Sequence, residues 1–384
     1  MKTIAFHLPQ FHPIPQNDTW WGRGFTEWTN VTKARPKFHS HYQPHLPADL
    51  GFYDLRLPEA REAQYELAKT YGISGFCYYH YWFAGKRVLN RPVDEILESK
   101  KPDFPFCLCW ANESWTRAWD GRSGDVILDQ AYSSADDQAH IEHLLPFFDD
   151  PRYIRIEGRP LFLVYRAELL PDPKRTADIW RTAARRAGIG EIYLACVESF
   201  VRSKMPESYG FDAAVEFAPD WRCVKPITLM QKIKLLSTGA PLHPGFYKHR
   251  IVDYHDVVHR MSSKPEPNYR RFPCVTPGFD NSARRAVDAT ILINSTPSAY
   301  GTWLKQTLQR EYLNSKAVEE PVVFINAWNE WAEGNHLEPD QKWGSAYLEA
   351  HRDAVATTSA EFNDPKSPLC GLSFPLSDGS TDCV

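Results

Sequence analysis

Eight short runs of apolar, β-prone residues recur along the chain, near 3–8, 73–80, 105–111, 161–166, 192–198, 211–217, 273–278 and 321–328. Most are apolar at nearly every position rather than at alternate ones, which marks parallel strands covered on both faces. Segments of helical period fall between several of them, at 57–70, 135–148, 174–187 and 298–312. Pro58 stands near a helix start, and Gly72 and Gly188 stand just past two ends. Buried strands alternating with helices predict an α/β fold, a (β/α)8 TIM barrel. A doubly wound open sheet would want a Gly-rich turn after its first strand. Pro9-Gln10-Phe11-His12-Pro13 stands there instead. The expected layout is one domain over 1–355, with long loops after strands 1 and 6 (9–56 and 219–271), and a polar tail over 356–384.

Several function classes drop out on composition. The net charge is −4 and no basic stripe occurs, so no nucleic-acid partner is expected. No apolar stretch reaches the roughly 20 residues that cross a bilayer. The first residues run straight into a strand without a signal-peptide core, so a cytoplasmic location is expected. Cys77, Cys107, Cys109 and Cys196 lie inside apolar runs and read as buried, reduced thiols. Cys107 and Cys109 share a strand face and could hold a metal, but no second pair accompanies them.

The last strand leads into Ala327-Trp328-Asn329-Glu330-Trp331-Ala332-Glu333-Gly334-Asn335-His336. Glu330 and Glu333 stand at i, i+3, so one turn puts both on one side of the chain. Paired carboxylates suit glycoside hydrolysis, about 5 Å apart in retaining enzymes and roughly 6.5–9.5 Å apart in inverting ones. The acid of the pair should have a raised pKa, through desolvation by Trp328 and Trp331 and repulsion from its partner. Without such company each Glu would read as a helix N-terminal charge.

The third strand ends in a related run, Trp110-Ala111-Asn112-Glu113-Ser114-Trp115, and the first loop holds Glu27-Trp28. Glu216 closes the sixth strand, and His7 and His80 close the first two, with Tyr81 following. In a barrel all of these ends face one mouth. Trp82, Trp110, Trp115, Trp119, Trp328 and Trp331 lie just beyond strand-like runs, as expected of a cleft lined by rings that stack on sugars. The site residues expected to bind substrate are therefore His7, Glu27, Trp28, His80, Tyr81, Trp110, Asn112, Glu113, Trp115, Glu216, Trp328, Asn329, Trp331 and His336. Fourteen histidines occur without an HExxH spacing. They read as hydrogen-bonding groups rather than a zinc site, and no metal or cofactor is expected. The expected partner is an oligosaccharide or polysaccharide.

These residues carry a resemblance. FHLPQFHPIPQND at 6–18, WWGRGFTEWTNV at 20–31, HYQPHLPADLGFYD at 41–54, FCYYHYWFAGKRVLNRP at 76–92, FCLCWANESWTRAWDG at 106–121 and AWNEWAEGNHLEPD at 327–340 resemble the glycoside hydrolase family 99-like proteins, and among them the WbsX-type group of polysaccharide biosynthesis. The resemblance implies a (β/α)8 barrel and retaining, endo-acting cleavage of α-mannosidic links. By residue match, Glu330 is a base on the neighbouring sugar 2-hydroxyl, giving a 1,2-anhydro sugar, and Glu333 is the general acid/base. Ala332 stands where family hydrolases carry His, and Asn335-His336 replaces Thr-Gln. Both departures are expected to touch the site, so mannose specificity does not follow. The group also carries a glycosyltransferase label. A transferase building O-antigen or exopolysaccharide is the alternative, although the chain has no Asp-x-Asp pair for a metal-held diphosphate. A glycan-binding barrel without chemistry is the third reading, supported by Ala332 alone.

Overall fold

In a computed structural model that describes residues 1–117, 122–199, 205–227, 248–315 and 320–364, all eight apolar runs are strands of one parallel sheet. They are β1 (Lys2–His7), β2 (Gly75–His80), β3 (Phe106–Trp110), β4 (Arg159–Val164), β5 (Tyr193–Glu198), β6 (Ala213–Glu216), β7 in two pieces (Arg271–Phe272 and Cys274–Val275) and β8 (Val322–Ile325). β1 pairs with β2 on one side and β8 on the other, as a barrel requires. Closure falls to β7. Its first piece pairs Ala214 with Arg271 and Val215 with Phe272, while its second pairs Cys274 with Phe324 and Val275 with Ile325. Pro273 separates the two, where a residue without an N–H cannot serve a continuous ladder.

The helices expected at 57–70, 135–148, 174–187 and 298–312 are Pro58–Thr70, Ser134–Phe148, Pro173–Arg186 and Pro297–Asn314. Pro opens three of them, and Ser133, Asp172 and Thr296 cap starts by accepting from backbone N–H groups. Arg91–Ser99, Tyr254–Ser262 and Ala346–Asn363 are further helices that the sequence pattern did not reveal. The last covers residues 356–363 of the expected tail, and 365–384 lie outside the described residues. The loop after β6 holds a strand where none was expected, Arg250–Asp253, paired in parallel with Thr290–Ile293 from the loop after β7.

The main core lies between strands and helices, with Leu161–Val164 wholly buried and Trp180 and Trp303 filling the helix layer. Cys77, Cys107, Cys109 and Cys196 are buried free thiols within it. The long loops over the barrel mouth have small cores of their own. One joins Leu8, Phe11, Trp28, Tyr53, Trp331 and Ala332, and another joins Phe38, Ile227, Ile251, Ala289 and Ile291. Among the described residues, no helix is long and apolar enough to cross a membrane.

Candidate active site

After β8 the chain makes a tight hairpin. Asn329–Glu330 pairs antiparallel with Asn335–His336 around a 3-10 turn, Trp331–Glu333. Gly334 ends the turn at φ 54°, where an added Cβ would stand 3.1 Å from Asp280 Cβ. In a 3-10 turn residues three apart eclipse one another, so Glu330 and Glu333 face the same way. Both line a cavity of about 390 Å³ at the carboxyl ends of the strands. The hairpin is pinned from behind. Asn329 accepts from Leu8 N at 2.7 Å and donates to Leu8 O at 3.0 Å. Glu338 accepts from Tyr53, Gln64 and the Trp331 indole at 2.6–2.8 Å.

Arg284 completes the centre. Its Nη2 donates to Glu330 Oε1 at 2.6 Å and its Nη1 to Glu333 Oε1 at 2.8 Å, while Glu27 Oε2 lies 3.1 Å from Nη2. The guanidinium is thus shared by three carboxylates from two loops. Burial pushes the Glu330 carboxyl up to about 8; Arg284 opposes the rise, and the charges of Glu333 and Glu27 add to it. The raised pKa expected on the acid of the pair therefore falls instead on Glu330, the residue matched to the base, because its carboxyl is the more deeply buried of the two against Arg284. Burial likewise holds Glu338 up at about 7 and raises Glu113 against its ion pair with Arg166.

A raised carboxyl favours the protonated form in the folded chain. Its contribution to stability is complete below 4.5 and is lost as pH climbs through about 8. Glu330→Gln is expected to make that decline shallower, read as urea-unfolding free energy across the interval. An unchanged slope would assign the titration to other groups.

Of the residues expected at the site, Glu27, Tyr81, Glu113, Trp115, Glu330 and Glu333 line this cavity together. The others do not. His7 and His80 alternate outward from the strands into the helix layer, against Gln64 and His140. Burial holds the His7 imidazole down at about 3. Trp28 and Trp331 pack on one another, and Trp110 and Trp328 lie in the main core. Asn112 ties β3 to β4 by bonds to the backbone of Arg166. Glu216 is paired with Lys264 at 2.6 Å, and Asn329 holds the hairpin. His336 stands behind Gly334, beside His45 and Asp340. Trp119 lies outside the described residues. Ala332 does not reach the cavity; it is wholly buried beneath Trp28. Tyr165 and Arg284 line the cavity without having been expected there. A strand-end tyrosine is a detectable signal, whereas Arg284 sits in a polar loop that carries none.

A family model described as glycosyltransferase WbsX matches residues 3–351. Two curated relatives, each described as an uncharacterized protein WxcX and drawn from two strains of Xanthomonas campestris pv. campestris, are 47% identical over 352 residues. That match covers 92% of this chain and 49% of each relative, so the chain spans about half their length. Among solved structures, a GH99 endo-α-mannosidase from Bacteroides thetaiotaomicron superposes with a TM-score of 0.56 at 14% identity, covering 93% of this chain and 97% of that one. A glycoside hydrolase-like protein superposes at 0.58 and 13% identity, covering 92% and 93%. At those identities the likeness establishes a shared barrel fold.

Proposed function

We propose, from the premise that this chain belongs to the glycosyltransferase WbsX family, that it is a carbohydrate-active enzyme cleaving α-glycosidic bonds inside a polysaccharide of mannose-like or deoxy sugars, with retention. One observation carries the reading: Glu330 and Glu333 share one wall of a cavity at the strand ends, bridged by Arg284. Ionised Glu330 takes the proton of the sugar 2-hydroxyl. The freed oxygen attacks C1, while Glu333 protonates the leaving oxygen as the glycosidic bond breaks. Glu333 then takes a proton from water. Water oxygen bonds to C1, the 1,2-anhydro ring opens, and O2 recovers its proton from Glu330. Arg284 spreads its charge over both acids and fixes their oxygens in one plane.

The transferase reading is weaker on electrostatic grounds. Among the described residues, the charged groups lining the cavity are Glu27, Glu113, Glu330 and Glu333 against Arg284. A sugar diphosphate placed there meets repulsion that a neutral saccharide does not. The binding-only reading loses its support, because Ala332 is packed away from the cavity. Melting temperature separates the readings. Neutral α-linked oligosaccharides are expected to raise it and nucleotide sugars to leave it unchanged. The reverse pattern would overturn hydrolysis in favour of transfer.

A further inference from the structure

We propose that His45, His336 and Asp340 form a binding site for a divalent transition-metal ion of the zinc class, separate from the glutamate cavity and independent of the reading given to it. The three side chains come from the loop after β1 and the segment after β8. Their ligand atoms lie within 4.8 Å of one another, beside a second cavity of about 600 Å³. His45 Nδ1 is 2.9 Å from His336 Nε2, and that Nε2 is 3.9 Å from Asp340 Oδ2. Two nitrogens bound to one tetrahedral zinc at 2.0–2.1 Å stand about 3.3 Å apart, so the imidazoles need to part by only a few tenths of an ångström.

The surroundings orient these atoms as metal ligands are oriented. His336 Nδ1 lies 2.9 Å from the Glu338 carbonyl, and donating its proton there leaves Nε2 as a lone pair. The same ring stacks on Trp331 at 3.8 Å. Asp340 Oδ1 accepts from the backbone N–H groups of Lys342 and Trp343, which leaves Oδ2 for an ion. Gly334 makes room for the His45 ring, which an added Cβ would meet at 3.3 Å. Among the described residues, Lys342 is the lysine lining this cavity, and its Nζ is held over the Tyr42 and Trp343 rings at 4.7 and 4.8 Å. Two imidazoles and one carboxylate leave a fourth position open toward the cavity for water or a ligand hydroxyl, the donor set of zinc and of iron(II). A bound ion would clamp the first loop to the segment that carries Glu330 and Glu333.

The test uses the full chain without a polyhistidine tag, stripped by chelator and titrated with Zn²⁺ by calorimetry and Co²⁺ by visible absorption. Saturable, stoichiometric uptake with Co²⁺ ligand-field bands is expected, together with a rise in melting temperature. Asp340→Asn and His45→Gln should weaken uptake by more than the ~10–100-fold that loss of an outer-shell partner costs, while His255→Gln, at an exposed histidine outside the trio, should bind as wild type does. His45 is only half-buried, so its variant keeps the test open if an Asp340 variant misfolds. Absence of saturable uptake by the wild-type chain overturns the site, and so does uptake that both ligand variants retain; the His45–His336 contact is then a hydrogen bond between two loops.

Discussion

Glu333→Gln is expected to end cleavage of an α-linked oligosaccharide while binding persists, with kcat lower by ~10²–10⁴-fold, the usual weight of a positioned acid–base group. Glu330→Gln should fall as far for a different reason, because the 2-hydroxyl then has no base. The two variants separate on pH. As the proposed base, Glu330 would act only when ionised, and burial raises it to about 8, so wild-type kcat/KM should rise with pH up to about that value. Glu333→Gln, assayed for its residual rate, should keep the rising limb, and Glu330→Gln should lose it. Reducing ends released from a defined oligosaccharide give the measurement. Full activity in Glu333→Gln would remove that residue from the mechanism, and a rate that falls with pH through 8 would make Glu330 the acid.

Arg284→Leu is expected to have the largest effect on folding. The side chain is 9% exposed and is the shared partner of Glu27, Glu330 and Glu333. Removing it leaves three carboxylates facing one another in a buried wall, and breaking such a pair from one side costs about 3–5 kcal/mol. Urea unfolding should register that loss. Adding Glu27→Gln should restore part of it, with a coupling of ~0.5–3 kcal/mol between the two positions. Arg284→Lys should fall between, since an ammonium keeps the charge but lacks the rigid planar fork that meets two acids at once. An Arg284→Leu chain as stable as wild type would mean that the three acids already share protons among themselves.

The barrel was legible because each stave is apolar on both faces, so eight runs stand out against polar connections. Helices with Pro starts and Gly ends stood out as well. The Tyr254–Ser262 helix is short and mixed in character, and its period is too brief to register. Within the site, Glu330, Glu333 and Glu113 were legible as acids that follow strands, and Glu27 as an acid beside an indole in the first long loop. Trp28, Trp110, Trp328 and Trp331, unlike Trp115, misled for a physical reason. A large ring beyond a strand end has as much area to hide as one within it, and the loops build their own small cores to hide Trp28 and Trp331. His7 and His80 were assigned to the mouth without regard to strand alternation, which turns both toward the helices. Arg284 was invisible because its importance is a sum over Glu27 and the two hairpin acids, more than 250 and about 50 positions away, and no local pattern encodes that sum.

A hoop yields at its clasp. The broken seventh stave gives each neighbour only two residues to grip, with a proline between the halves. The loop that leaves this stave delivers the guanidinium to its acids. Loosening the ring there would therefore move the guanidinium relative to Glu27, Glu330 and Glu333, and a change of sequence that stiffens the clasp would reach the proposed chemistry through architecture, without touching a single reacting atom.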